Sequence, residues 1–154
     1  ATQRHLIAEQ QLRAFLIATG EKERLEKTTK PDAKDDATKY SLADFQKAFA
    51  AALANPAKEP ELAANPSLRS ALFLRNSDHV QWALKPRAGN LIERLAKLPD
   101  PSEELYLTIL TRLPDTDEKD HLNEWLAKRG SNKAQALGDY VWALISSTEF
   151  FVNH

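Results

Sequence analysis

Apolar residues recur every three or four positions along most of this chain, which is the spacing of an amphipathic α-helix. The first such stretch predicts a helix from Thr2 to about Thr19, closed by Gly20, a residue that adopts the left-handed backbone of a helix end. No strand-length run of alternating apolar and polar residues occurs in the sequence. We therefore expect an all-α fold.

The next helix is predicted to begin at Ser41, with Asp44 three residues on as its capping partner, and to stop at Asn55-Pro56. Three shorter helices are predicted over residues 66–74, 77–84 and 90–98. The apolar residues of the first two short helices, among them Val80, Trp82 and Leu84, are expected to face the core.

The last third of the chain carries the clearest helix signals. Residues 100–103 (Asp-Pro-Ser-Glu) predict the start of a helix that runs to about Leu113, with Leu113 among its inward residues. A second Asp-x-x-Glu start, at residues 115–118, predicts a helix to Arg129. The final helix is predicted to begin at Ser131, and because it is apolar on two sides we expect it to be central.

One segment interrupts this pattern. From Glu21 to Tyr40 the chain is mostly Lys, Glu, Asp and Thr, with Pro31 in the middle and Leu25 as its single large aliphatic residue. We predict a mobile, charged surface loop that extends the first helix by a turn at most. The whole chain, residues 1–154, is then one domain, an irregular bundle of about seven to eight helices.

Composition narrows the functional classes. The formal net charge is -1 with acids and bases interspersed, whereas nucleic-acid binders usually carry a basic stripe, so we expect no nucleic-acid partner. No apolar run approaches the roughly 18 residues of a membrane span, so we expect no membrane insertion. The chain has no cysteine, which excludes disulfides, thiolate metal sites and a cysteine nucleophile within it.

The sequence contains no recognisable catalytic or metal motif. Its four histidines are far apart in sequence, and the acids at 115–120 lack the glycine of a calcium loop and suit a helix N-terminus. Glycine-rich phosphate loops and serine-hydrolase elbows are also absent from the sequence. We predict no catalytic residue, no metal and no cofactor, and we favour a non-enzymatic domain over an enzyme.

A speculative ligand site lies in the middle of the chain. Trp82 has Arg75 and Arg87 close to it in sequence, and an aromatic ring flanked by cations can bind a glycan or another small molecule. The alternative, which we favour, is that Trp82 and the other aromatic residues form the core.

The ends of the chain carry a resemblance to a known family. Residues 104–107 (Glu-Leu-Tyr-Leu), 110–114 (Leu-Thr-Arg-Leu-Pro) and 136–144, followed by a Ser-x-Glu-Phe-x-x-Asn-His ending over 147–154, resemble the C-terminal domain of unknown function of the planctomycete cytochrome-c-domain-containing protein family. Residues 71–76 and 89–95 also resemble it, and residues 8–10 and 18–20 resemble it more weakly. A shorter similarity extends to phycobilisome-linker-like helical domains.

This resemblance implies a C-terminal piece of a large exported protein, and therefore an extracytoplasmic location. Some family members carry a haem-binding Cys-x-x-Cys-His segment far upstream, but a chain without cysteine cannot hold covalent haem. We accordingly expect a non-catalytic helical interaction module whose partners are other domains of its parent protein, and a ligand- or glycan-binding module is the alternative.

Overall fold

The structure, a computed structural model, describes residues 4–5, 8–53 and 73–153. It is all-α, and ten helical segments lie in these ranges, against the seven to eight predicted. The helices are α1 (Ala8–Thr19), α2 (Lys22–Lys27), α3 (Leu42–Leu53), residues 73–76, α4 (Asp78–Ala83), α5 (Leu91–Lys97), α6 (Ser102–Leu110), α7 (Thr116–Lys128), α8 (Lys133–Ile145) and α9 (Thr148–Phe151). The two that were not predicted, α2 and α9, have only six and four residues.

The segment predicted as a charged loop is largely structured. Gly20, at φ 76°, separates α1 from α2, and Leu25 of α2 is buried to 1% exposure. Further on, Asp36–Thr38 form a 3-10 turn in which the Asp35 carboxylate accepts a hydrogen bond from the Ala37 backbone. Leu25 alone was too weak a signal to predict helix α2, but its burial is enough to hold this helix against the core.

The start of the first helix was also predicted wrongly. Helix α1 begins at Ala8, while Arg4–His5 form a two-residue strand, β1, antiparallel to β2 (Val152–Asn153). Arg4 lies opposite Asn153, and His5 opposite Val152. Residues 2–3 of the predicted helix, the Asn55-Pro56 stop and residues 66–72 lie outside the described residues.

Two helix starts follow the predicted capping residues, whereas α6 is preceded by Pro101 and α8 is capped by Asn132 instead of beginning at Ser131. At the start of α3, the Ser41 hydroxyl accepts from the Asp44 backbone and the Asp44 carboxylate accepts from the Ser41 backbone at 2.8 Å. Asp115 and Glu118 form the same reciprocal capping box at α7. Two orphan N–H groups are satisfied at each site, so short local motifs define these boundaries.

Helix α6 is shorter than predicted. It ends at Leu110 because Thr111 adopts the left-handed conformation, with φ 57°. Leu113 therefore lies beyond the helix and is 59% exposed, where an inward position was expected. At the other end, Asp100 accepts from the Ser102 backbone, whereas Glu103 pairs with Lys119 instead of reaching back to the cap.

Helix α8 is central, as its two apolar faces predict. It packs against α5, α6, α7 and α9. Gly138 allows its close approach to the end of α4, since a Cβ there would lie 2.7 Å from the Leu84 carbonyl oxygen.

An aromatic cluster fills the other half of the core. Phe15 of α1 packs against Phe45 and Phe49 of α3, with ring centroids 6.4 and 5.5 Å away. Phe45 also contacts Trp82 of α4 at 5.8 Å. Phe15, Phe45, Phe49 and Trp82 are at most 3% exposed, and they join the amino-terminal helices to the middle of the chain.

We expect Gly138→Ala to destabilise the domain. Alanine favours a helix over glycine by about 1 kcal/mol, but the new methyl group would overlap the Leu84 carbonyl, and overpacking of a core costs about 1–3 kcal/mol or more. Urea denaturation should therefore give a lower free energy of unfolding. Gly130→Ala is the matched control, because its Cβ would meet its nearest atom at an ordinary 3.6 Å. Equal stability of the two variants would contradict the predicted contact.

Candidate functional site

The structure brings together two of the three residues of the speculative ligand site. The Arg87 guanidinium stacks on the Trp82 ring, with its carbon 4.0 Å from the ring centroid. Trp82 is 3% exposed and Arg87 is 8% exposed, so both belong to the interior. Arg75 lies on the helical segment 73–76, where its side chain is exposed, and it is not part of this cluster.

Arg87 uses all three guanidinium nitrogens on protein partners. Nε donates to the Asp36 carboxylate at 3.0 Å, Nη1 to the Glu21 carboxylate at 2.9 Å and Nη2 to the Trp82 carbonyl at 2.7 Å. The Trp82 indole N–H donates to the Asp36 carbonyl at 2.7 Å. Arg87 therefore connects residues 21–40, which we call the charged segment, to helix α4.

Glu21 is the buried acceptor at the centre of this network. It has no exposed surface, and its two carboxylate oxygens accept from Arg87, from the Asn90 amide at 3.0 Å and from Arg24 Nε at 2.9 Å. Asn90 in turn caps α5 by accepting from the Glu93 backbone. One carboxylate thus ties the end of α1 to the start of α5.

The cluster is built to hold segments together. Two acids, Glu21 and Asp36, balance two guanidinium groups, Arg24 and Arg87. A buried charge is tolerated only when it is paired and hydrogen-bonded, and this arrangement meets both conditions. With the Arg87 nitrogens and the Glu21 oxygens occupied, the geometry gives Trp82 and Arg87 a structural role.

The other aromatic residues also serve packing. Tyr106 and Tyr140 are buried, with their hydroxyl oxygens 3.2 Å apart. Burial raises the pKa of Tyr106 above its ordinary value, so the phenol stays protonated. Trp125 is half-buried, donates to the Ala136 carbonyl at 2.8 Å and is covered by the Arg129 guanidinium.

A second cluster surrounds Arg112, directly after α6. Its guanidinium donates to Glu118 of α7 at 2.7 and 2.9 Å and to Glu149 of α9 at 2.6 and 3.1 Å. The hydrogen bonds from Arg112 lower the pKa of Glu118, which also completes the α7 capping box. Arg112 thus fixes α7 and α9 to the end of α6.

A groove opens beside this cluster, and we call it the apolar groove. It has a volume of about 500 Å³ and lies between α1, the end of α6 and α9. Its apolar lining is Ala14, Ile17, Ala18, Ile109, Leu110 and Phe150. Thr108, Thr111, Arg112 and Glu149 form its polar edge.

One of the three exposed large apolar side chains among the described residues lies in this groove. Ile17, which is 56% exposed, lines it. Leu107, at 46%, and Leu113, at 59%, are the chain neighbours of the lining residues Thr108 and Arg112. Exposed apolar residues scattered singly are ordinary, but Ile17 continues the apolar lining of a concave surface, and this indicates a contact surface.

Neither the Glu21 network nor the apolar groove is apparent from local sequence patterns. Glu21 was one acid among many in a charged stretch, and its partners lie 66 and 69 positions away. Ile17 and Leu107 depart from the three- to four-residue spacing of the apolar positions on their helices. This departure is the signal in the sequence that their side chains are exposed.

Within the described ranges, no three histidine or acidic side chains come together in a way that could hold a metal ion. In the same part of the chain, no helix is both long enough and apolar enough to cross a membrane.

Comparison with known proteins gives no match to this chain among family models, curated proteins or solved structures.

His79 packs against the aromatic cluster formed by helices α1, α3 and α4. Its ring centroid lies 4.4 Å from Tyr40 and 5.2 Å from Phe45. Burial lowers its pKa from the usual value. Of the charged groups that face it, Asp44 and Asp78 oppose the shift and Lys39 adds to it.

We expect Glu21→Ala to cost about 3–5 kcal/mol, because it removes the buried carboxylate partner of Arg87 and leaves only Asp36, which is largely exposed. Urea denaturation followed by far-ultraviolet circular dichroism measures this loss. Glu23→Ala is the control, since Glu23 is exposed two residues further along the same segment and its ion pair with Lys27 is exposed too. A loss for Glu21→Ala no greater than that of the control would show that the network carries no stability.

Stability should also depend on His79. Because its pKa is lower in the folded state than in the unfolded state, the folded protein binds fewer protons, and stability falls as the pH drops below about 6.5. The slope for this one group is at most about 1.4 kcal/mol per pH unit. Urea denaturation between pH 7.5 and 5.5 should show a fall, with each pH set by buffer to about 0.1 unit. The His79→Phe variant should lose stability less steeply over the same window, and identical slopes would rule out His79 as the source.

Proposed function

We propose that this chain is a non-catalytic helical interaction module that docks onto another protein surface through the apolar groove. The observation that carries the proposal is the apolar lining of this concave surface, which includes the exposed side chain of Ile17. Complete burial of such a side chain contributes about 1.5–3 kcal/mol, so covering this surface would supply useful binding free energy.

The groove also has the composition of an interface. An apolar centre is bordered by Arg112 and Glu149, and stable interfaces usually combine an apolar core with a polar rim. Because Arg112 already fixes α7 and α9, the walls of the groove are set before a partner arrives, which lowers the entropic cost of binding.

The clustered charges support a role in packing. Arg87 and Glu21 join the charged segment to α5, and Arg112 joins α6 to α7 and α9. Each of these groups is committed to a structural hydrogen bond, and this supports an interaction module over an enzyme.

We assign the partner to other domains of the parent protein. The support is the resemblance of the carboxy-terminal third, and of its Ser-x-Glu-Phe-x-x-Asn-His ending, to the C-terminal domain of the planctomycete cytochrome-c-domain-containing proteins. Members of that family are large and exported, so the proposal includes an extracytoplasmic location.

A photo-crosslinking amino acid at position 17 tests the proposal in the full-length protein expressed in its bacterial host. We expect a crosslink to another domain of the same polypeptide, identified by mass spectrometry. Ile17→Glu should reduce docking at least tenfold and change the free energy of unfolding by only about 0.5 kcal/mol, because the side chain is already exposed.

Position 123 provides the control, since Asn123 is exposed on α7 and does not line the apolar groove. A crosslinker there should capture far less of the partner. Equal capture at positions 17 and 123, or no capture at position 17, would overturn the assignment of the groove. Capture of a separate protein would keep the docking surface and overturn its intramolecular partner.

A further inference from the structure

A second groove lies on the charged segment, and we call it the basic groove. It has a volume of about 540 Å³ and is bounded by α2, by residues 28–30 and 37–38, and by the turn at 88–89 before α5. It is separate from the apolar groove, and the two share no lining residue.

Basic side chains outnumber acidic ones in the lining of the basic groove, although the chain as a whole has a net charge of -1 and Glu21 and Glu93 contact the lining residues Arg24 and Gly89. Its charged lining residues are Arg24, Lys27 and Lys30, with Glu23 as the single acid. The Lys27–Glu23 ion pair is 3.7 Å long with both side chains at least 80% exposed, so water screens it strongly. Lys30 forms no ion pair within the described residues and is exposed.

Arg24 is held in place on the groove wall. Its Nε donates to the buried Glu21 carboxylate at 2.9 Å, and its Nη2 donates to the Ala88 carbonyl. These two anchors leave Nη1 for a further acceptor, because a guanidinium has five N–H donors. An arginine ordered in advance loses little entropy when it binds an anion.

The backbone leaves room beside these cations. Gly20 and Gly89 line the groove with positive φ of 76° and 79°, and a Cβ at Gly89 would have no heavy atom within 4 Å. Thr29, which has a hydroxyl donor, also lines the groove. The groove therefore combines open space with several potential donors.

We propose that the basic groove binds the phosphate or sulfate ester of a small polar molecule. A tetrahedral oxyanion offers several acceptor oxygens, which suits one fixed guanidinium and two flexible ammonium groups. The groove is larger than an inorganic ion requires, so the ester's organic part would occupy the remainder. This inference is independent of the docking surface proposed above.

Calorimetric titration of the chain at constant ionic strength tests the proposal. The probes are glucose 6-phosphate, glucose 6-sulfate, inorganic sulfate and unsubstituted glucose. We expect the two esters to bind more tightly than inorganic sulfate, and glucose not to bind. The tighter ester identifies which of the two anions the groove prefers.

Lys27→Gln and Lys30→Gln should each weaken ester binding by about three- to tenfold, which is the loss expected for one cation in a partly screened site. Lys34→Gln is the matched control, because Lys34 is exposed on the same segment and does not line the groove. Circular dichroism should give the same helix content for all three variants.

Absence of binding by either ester, or an equal loss in the Lys34→Gln variant, would overturn the site. Equal affinity for the esters and inorganic sulfate would overturn the assignment of an ester and leave a simple anion site.

Discussion

The buried ion pair between Glu21 and Arg87 is the interaction on which the middle of the structure depends. Removing two charges from water is unfavourable, and their mutual attraction together with the further hydrogen bonds to Arg24, Asn90, Asp36 and the Trp82 carbonyl compensates for it. The same bonds position the charged segment over Trp82 and set the start of α5. A stretch whose composition resembles a solvated loop is therefore held in place by polar contacts and by one buried leucine.

Most helix boundaries could be predicted, because they depend on residues three positions apart. The reciprocal capping of Ser41 with Asp44, and of Asp115 with Glu118, is local chemistry that the sequence displays directly. The wrong boundaries have non-local or conformational causes. Helix α1 begins late because Arg4–His5 pair with the far end of the chain, and α6 ends early because Thr111 adopts a left-handed backbone.

The sites were harder to predict than the fold for the same reason. Trp82 and Arg87 were singled out because they are neighbours in sequence, and they do stack, but distant Glu21 and Asp36 complete their environment. The apolar and basic grooves each combine residues from at least three segments of the chain. In each groove one arginine, Arg112 or Arg24, is held in place by hydrogen bonds to protein acceptors that include a carboxylate.

The sequence separation in the Glu21 network affects how the domain can be divided. Glu21 contacts residues 66 and 69 positions further on, while the intervening residues 29–35 are all exposed. A protease that cuts within 29–35 would leave both sides of the network in place, so the two fragments would have reason to stay associated. A truncation that removes either Glu21 or Arg87 would instead break the buried ion pair between them and leave its other charge in the interior with a more exposed partner. The domain should therefore tolerate cleavage of one peptide bond within residues 29–35 better than truncation from either end. Fragments for expression should retain both Glu21 and Arg87.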